Sequence, residues 1–337
     1  MIHRKDLHFW GLEDKALFED DLARSHVRDV QQDVAQNGFV AVSGAWGSGK
    51  TTLFRHVLAS LGAEDPYAAS APIVIRVASE EKERLKIGHI ITAIILGIGE
   101  ATGKHESPRR DMEARCIQMR RMLGEASVRD RRIVRRILVW IDNAHRLHAQ
   151  TIRAIKDLME VDYCGVSPLF SVALIGQQDL ATKIRHYGEV RCRVSMYELD
   201  EDSGWLARSR REQYLKARYC GLLPAGAVIR IAARATTYLG MDDLVDTVLA
   251  RQARAGIQSL SEDLWEPSLG DLYQMLHDNY SVGLREIGKQ AGISAATVSS
   301  VLHGNNTRTD NITAVKRAMR QIETDRTEGS AGEAACG

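Results

Sequence analysis

At 337 residues the chain is long enough for two or three domains with ample surface to bury. Its 44% hydrophobic and 26% charged residues are an ordinary globular mix, and a formal net charge of +1 excludes a chain drawn to nucleic acid by bulk charge alone. The five cysteines (Cys116, Cys164, Cys192, Cys220, Cys336) are odd in number and widely spaced, without a CxxC pair or a Cys/His cluster, which points to reduced thiols rather than a disulfide framework or a zinc site.

The N-terminal MIHRKDLHFWGLEDK has no apolar signal segment. Residues 12–36 are polar and helix-like, and GFVAVSG (38–44) then suits a short buried strand ending in glycine. A glycine-rich loop and a helix over about 50–61 follow, then a second strand in PIVIRVAS (72–79). IGHIITAIILGIG (87–99), within a helix over 85–101, falls short of the ~20 residues a membrane span needs and reads as a buried core helix. Residues 109–136 carry ten arginines and four acids, either a polyanion-facing surface or a solvated helix face. Further strands are expected at RILVWID (136–142), PLFSVALIG (168–176) and CRVSMYEL (192–199), with a helix at 149–161 between the first two. Strands alternating with helices imply βαβ units, and wholly apolar strands imply a parallel sheet covered on both faces. From 201 to 262 the pattern is helical, with turns expected at 221–226 and 238–243. A break at 259–270 precedes a second helical region to about 322, and the small polar tail 323–337 reads as disordered.

GAWGSGKTT (44–52) fits GxxxxGK[ST] through Gly44, Gly49, Lys50 and Thr51. The residues expected to cradle phosphates are Gly44, Ala45, Trp46, Gly47, Ser48, Gly49, Lys50, Thr51 and Thr52. Glycines let backbone N–H groups turn toward phosphate oxygens, and the helix starting near Lys50 adds its positive end. Lys50 neutralises β/γ-phosphate charge while the Thr51 hydroxyl ligates Mg²⁺, so ATP and Mg²⁺ are the expected ligands. Asp142 ends a later apolar strand; in a parallel sheet that places it on the same edge as Thr51, suited to hold the metal through water. Asn143 follows where many such ATPases carry a glutamate. An amide orients water but is not a useful base, so tight ATP binding with slow hydrolysis is expected unless another acid, such as Glu160, compensates.

GAWGSGKTT, ILVWIDNAHRL (137–147) and PLFSVALIGQQDLATKI (168–184) together resemble the AAA+ ATPases of mobile elements: Mu-type transposition protein B, its Tn7-type counterpart TnsC and the related secretion ATPase ExeA. The resemblance spans about residues 7–250. It implies a P-loop αβα core over 1–200 with a helical lid over 201–262, and ATP-driven assembly on DNA with nucleotide between subunits. It implies that Gln177, with Gln178 as the alternative, senses the γ-phosphate. It also implies an arginine reaching the neighbour's phosphate, for which Arg185, Arg191 and Arg193 are candidates. The lid helix after Gly240 often carries a phosphate-contacting arginine in this family; here the positions are Asp242 and Asp243.

SVGLREIGKQAGISAATVSSVLHGN (281–305) has a helix-turn-helix pattern, with Leu284 and Ile287 inward on the first helix, Gly288 at the tight contact and Gly292 at the turn. Ser294 suits the N-cap of the second helix, whose Val298, Val301 and Leu302 form an apolar face. The layout resembles repressor-type DNA-binding domains over about 268–322. In that geometry Ala295, Ala296, Thr297 and Ser300 face bases while Arg285, Lys289, His303 and Arg308 approach phosphates. The base-facing residues are small, which argues for weak sequence specificity; a bundle that docks a protein is the alternative. Mu-type protein B carries such a domain at its N-terminus, so the C-terminal position departs from that relative.

The function expected from these features is an ATP-dependent DNA-binding protein of a transposable phage or transposon. It would assemble as a ring or filament on double-stranded target DNA, in the bacterial host cytoplasm and away from membranes, and recruit the transposase. The alternatives are an ATP-regulated transcription factor with a defined operator and a secretion ATPase, the latter disfavoured because neither a membrane segment nor an envelope-binding domain is visible.

Overall fold

The computed structural model describes residues 18–62, 71–77, 85–256, 269–303, 305 and 308–334. The expected lead-in before residue 18 and most of the break at 259–270 lie outside them. The chain divides into two compact units, residues 1–223 with 235–258, and residues 224–234 with 259–337.

In the first unit, α1 (Asp21–Ala35) starts at Asp20, whose side chain caps the Ala23 N–H. β1 (Phe39–Gly44) leads through the glycine-rich loop into α2 (Lys50–Ser60). β2 (Ile73–Val77), α3 (Ile87–Thr102) and α4 (Met112–Ser127) follow. A two-residue hairpin, β3 (Val128–Arg129) with β4 (Arg132–Ile133), then precedes β5 (Ile137–Ile141), so the arginine-rich stretch is a helix plus a hairpin. A 3-10 turn (Ala144–Arg146), α5 (Ala149–Met159), β6 (Ser171–Gly176), α6 (Gln178–His186), α7 (Gly188–Arg191) and β7 (Val194–Leu199) complete the core.

The five long strands form one parallel sheet in the order β2–β5–β6–β1–β7. Alternate residues of each central strand point to opposite faces. Val139 and Ile141 of β5 join Ile90, Ile94 and Ile98 of α3 in one core, whereas Leu138 and Trp140 join Val30 of α1 and Leu53, Phe54 and Val57 of α2 in the other. The isoleucine run of α3 is thus a core helix; burial overrides the modest helix propensity of β-branched residues. No described helix is long and apolar enough to cross a membrane.

The region expected to be the lid differs from its sequence reading in two ways. α8 (Arg208–Arg218) and α10 (Tyr238–Arg254) lie in the first unit, while α9 (Ala225–Arg234) groups with the second. An amphipathic pattern shows that a helix has a partner and does not say which. The turn expected at 238–243 is instead the first turn of α10, capped by the Thr237 hydroxyl, which accepts from the Gly240 N–H at 3.3 Å. Gly240 sits where helical N–H groups have no intrahelical partner, and there glycine does not end a helix.

The second unit continues with α11 (Leu269–Tyr280), α12 (Leu284–Ala291), α13 (Ala295–Leu302) and α14 (Thr309–Ala334). Ile287, Val298, Val301, Val315 and Met319 share its core. Gly292 ends α12 at φ 70°, and the Ser294 hydroxyl accepts from the Thr297 N–H at 3.1 Å to start α13. A Cβ on Gly288 would lie 2.7 Å from the Ile293 carbonyl oxygen, so the close crossing of α12 with the chain leading into α13 excludes a side chain there. The tail does not begin at 323: α14 runs on to Ala334. Polar composition alone does not separate an exposed helix from a disordered end, and Gly329 and Gly332 weaken a helix by only about 1 kcal/mol each.

Candidate functional site

All five sheet strands run the same way, so the loops after β1, β5 and β6 open on one edge, and the crevice lies where the strand order reverses. There a cavity of about 370 Å³ is lined by Trp46, Gly47, Gly49, Lys50, Thr51 and Thr52 from the first loop and α2, by Asp142, Asn143 and His145 after β5, and by Gly176 and Gln177 after β6. Phe18, Trp205, Arg210, Tyr214, Tyr238, Leu239 and Asp242 complete it. This size is within the range of about 300–1,000 Å³ usual for ligand pockets. Of the expected phosphate-loop residues, Gly44, Ala45 and Ser48 do not line the cavity; their carbonyl and hydroxyl oxygens accept from the lysine.

The Lys50 ammonium donates to the Gly44 carbonyl at 3.0 Å, the Ala45 carbonyl at 2.7 Å and Ser48 Oγ at 3.5 Å. Its three protons are thus held by the loop itself. Burial lowers its pKa to about 8, and the Asp142 charge pulls in the opposite direction. The backbone fits close contact with phosphates: Gly47 and Gly49 have φ of 79° and 90°, and a Cβ on Gly47 would meet Leu239 Cβ at 2.6 Å. Two bonds fix the loop from outside. Trp205 Nε1 donates to the Ser48 carbonyl at 2.7 Å, and the Leu239 N–H donates to the Gly47 carbonyl at 3.2 Å.

Asp142 accepts the Asn143 N–H on Oδ1 at 2.8 Å, and Arg76 stands 3.7 Å from Oδ2 while stacking over the Trp140 ring. Its carboxylate and the Thr51 hydroxyl are hard oxygen donors lining one cavity, a donor set that fits Mg²⁺ completed by water and phosphate oxygens. Among the described residues there is no cluster of three His, Cys, Asp or Glu that would hold a metal by itself. Asn143 is exposed and left-handed, at φ 53° and ψ 33°. Gln177 lines the cavity and Gln178, the first residue of α6, does not. Glu160 does not line it either; it caps α5 and pairs with Lys156 at 3.7 Å and Arg193 at 3.5 Å. Arg185 is held by Glu198, whereas Arg191 has no ion pair among the described residues; all three arginines are exposed.

The sequence reading missed two groups at this site. His145 Nδ1 accepts the Gln177 N–H at 3.3 Å, tying the turn after β5 to the start of α6. Burial, then Arg146 and Lys183, push its pKa down, so the ring is neutral at pH 7 and an acceptor at that nitrogen. A Cβ on Gly176 would lie 2.8 Å from the His145 nitrogen, so the approach of these two turns needs glycine. The second group is Arg210. Its guanidinium forks onto Asp20 at 2.5 and 2.8 Å, donates to the Trp205 carbonyl at 2.9 Å and stacks 4.1 Å from the Trp205 ring. Burial works against the Asp20 carboxylate, and Arg210 with the Ala23 N–H more than offsets it, leaving its pKa lowered.

Asp242, where the family resemblance allows an arginine, is buried and accepts from the Tyr214 and Tyr219 hydroxyls at 2.8 and 2.9 Å. Burial, with Asp242 beside them, pushes both phenols well above the usual tyrosine range. The cation that the helices after β7 bring to the cavity is Arg210, from α8.

In the second unit Arg285, Lys289, Ala296, His303 and Arg308 are exposed, and Ala295, Thr297 and Ser300 are half-buried. The Thr297 hydroxyl lies 2.8 Å from the Ser294 hydroxyl, partly engaged in the cap.

Residues 32–184 match the family model described as "AAA domain". No curated protein matches the sequence. Among solved structures the chain is similar to the ORC1 protein of Aeropyrum pernix in complex with DNA, at 14% identity and TM-score 0.53, over 95% of this chain and 97% of that one. It is also similar to ORC2 of the same organism (12%, TM-score 0.53, 93% and 83% covered) and to Cdc6p of Pyrobaculum aerophilum (12%, TM-score 0.52, 94% and 90% covered). At these identities the likeness is one of fold. Residues 32–184 therefore carry an AAA domain, and the α/β architecture around them is that of a P-loop AAA+ core.

Proposed function

We propose that this chain is an ATP-dependent DNA-binding protein of a transposable phage or transposon, which assembles on target DNA and recruits and stimulates a cognate transposase. The observation that carries the nucleotide half is the convergence of Lys50, Thr51, Asp142, Asn143 and Gln177 from three separate loops on one cavity. The DNA half is supported by the exposed Arg285 and Lys289 of α12 and the exposed His303 and Arg308 that follow α13, and by similar structures described as ORC1 in complex with DNA and Drosophila ORC bound to DNA.

In this reading Lys50 leaves the Gly44 and Ala45 carbonyls to neutralise β/γ-phosphate charge, and Thr51 and Asp142 hold Mg²⁺. The bound metal supplies charge neutralisation at the transferring phosphoryl group. Gln177, set by His145, contacts the γ-phosphate. Arg191 is favoured over Arg185 and Arg193 as the arginine reaching a neighbouring subunit, because the other two already have acidic partners. The acids among the described residues lining the cavity are Asp142 and Asp242; the first serves the metal and the second is locked by two tyrosines. Neither is free to act as a base, which supports slow hydrolysis.

The depressed Lys50 pKa gives a pH dependence. The ammonium is the phosphate-binding form, so above pH 8 ATP must bring a proton with it. ATP affinity is expected to be flat below about pH 8 and to weaken by up to about tenfold per pH unit above it. Calorimetric titrations across that range check this; an affinity unchanged to about pH 9.5 would show that burial does not depress the Lys50 pKa to about 8.

Electron microscopy with ATP and random-sequence DNA tests the assembly. Rings or filaments of this chain on any duplex are expected. A footprint at one site with no extended assembly would favour the ATP-regulated transcription factor, which the separate C-terminal helical unit also suits.

A further inference from the structure

Of the ten arginines of residues 109–136, Arg109 and Arg110 precede α4 and Arg136 adjoins β5; the contrast lies between those on α4 and those of the hairpin. Those on α4 serve the fold. Arg115 donates to the Arg109 and Arg110 carbonyls, Arg120 pairs with Asp162 at 3.1 Å, and Arg121 pairs with Glu106 and Glu125 at 2.6 and 3.1 Å. Arg135 donates to the Ala71 carbonyl at 3.0 Å. The β3–β4 hairpin is different. Arg129, Arg131 and Arg132 are all exposed, and none has an ion pair among the described residues.

Their arrangement is also unfavourable in the protein by itself. The hairpin register sets Arg129 directly opposite Arg132, and like charges across an antiparallel pair repel. The two tip residues, Asp130 and Arg131, have φ of 49° and 58°. Such a tight turn favours Asn-Gly; aspartate tolerates the left-handed region, and arginine is strained there. Val128 packs on the core, while Ile133 and Val134 are 37% and 55% exposed, so that side of the hairpin is open. The repulsion kept at this exposed tip is relieved by an anion from outside.

We propose that the β3–β4 hairpin is a contact of the AAA+ core with the phosphate backbone of double-stranded DNA, made through Arg129, Arg131 and Arg132. DNA is favoured over an acidic protein because a phosphate row offers anions at a fixed close spacing, about one charge per 3.4 Å of each strand, and satisfies three neighbouring guanidiniums at once. Guanidinium forks match phosphate oxygens, and contacts of this kind carry no sequence information. This inference rests on the DNA-binding reading above and assigns part of that binding to the core rather than to α12 and α13.

The test is the salt dependence of binding to a random-sequence duplex with ATP, using the full chain. The triple variant Arg129→Gln, Arg131→Gln, Arg132→Gln is expected to lower the slope of log affinity against log salt by about 2–3, close to 0.9 for each phosphate no longer neutralised. Arg129→Lys, Arg131→Lys, Arg132→Lys is expected to keep the slope. Arg131→Gly, which relaxes the tip and removes one charge, is expected to lower it by about 1, so the assignment stays testable if the triple variant fails to fold. Unchanged slope in the Gln and Gly variants beside a DNA-binding wild type overturns the hairpin assignment and leaves the DNA-binding reading standing, whether or not the hairpin meets an acidic protein. A wild type that ignores DNA overturns both.

Discussion

Replacing Lys50 with alanine is expected to weaken ATP binding at least roughly 100-fold and to abolish the ATP-dependent part of DNA binding. The ammonium makes charge-assisted contacts with phosphate, each worth about 1.5–3 kcal/mol, and two such contacts exceed a factor of 100. The other half of the expectation is structural. Lys50 holds the Gly44 and Ala45 carbonyls when no phosphate is present, so its loss also loosens the loop. Thr51→Ala and Asp142→Asn separate the two effects, because both keep the lysine in the loop and remove a metal ligand. All three variants are expected to lose the difference between DNA binding with ATP and with ADP, and Lys50→Ala alone is expected to lose nucleotide binding without Mg²⁺. Calorimetry for ATP and ADP, with filter binding of duplex DNA, reads both. If Lys50→Ala binds DNA with ATP as the native chain does, nucleotide and DNA are not coupled.

What the sequence made legible was periodic or local. The wholly apolar run of RILVWID implied a strand covered on both faces before any partner was known, and the glycine-rich loop stood out because it lies between a strand and a helix. Asp142 could be set on the Thr51 edge because parallel strands end together. The helix caps of the second unit, Ser294 and Gly292, were readable for the same reason: a cap acts over three or four residues. The features that escaped are either very short or very long in range. The β3–β4 strands have two residues each, too few to show alternation. Arg210 meets Asp20 across 190 positions, and nothing in RSRREQYLKAR marks Arg210 and Arg211 as the buried arginines. His145 lay inside a phrase already read for its aspartate. Its partner, the Gln177 backbone, is 32 residues away and could be found only once β5 and β6 were known to be neighbours. The Asp242 position shows the limit of reading by resemblance. The departure from an arginine was visible, but its use, accepting from two buried tyrosines of the same helical unit, needed the packing.

Asn143→Glu is expected to raise ATP turnover in the presence of DNA by up to 10²–10⁴-fold, the usual worth of general-base help. The structure adds a condition to that expectation. Asn143 sits in the left-handed region, which asparagine adopts more readily than other residues except glycine, and its N–H donates to the Asp142 carboxylate at 2.8 Å. The residue therefore shapes the turn after β5 as well as withholding a base. Glutamate at φ 53° costs about 1–2 kcal/mol, enough to shift Asp142 if the turn relaxes, so the gain will fall below the upper figure. Asn143→Asp keeps a residue that tolerates this backbone and brings a carboxylate one methylene shorter; a smaller increase is expected. Asn143→Gly relaxes the turn and brings no base; turnover no faster than native is expected. If Gly accelerates hydrolysis as Glu does, backbone geometry rather than a missing base sets the rate. If the native chain already matches the Glu variant, the slow-ATPase reading is wrong. With the base supplied, ATP-bound assemblies on DNA should also shorten their lifetime in proportion to turnover. In the proposed function an amide at this position is expected to prolong the ATP-bound state.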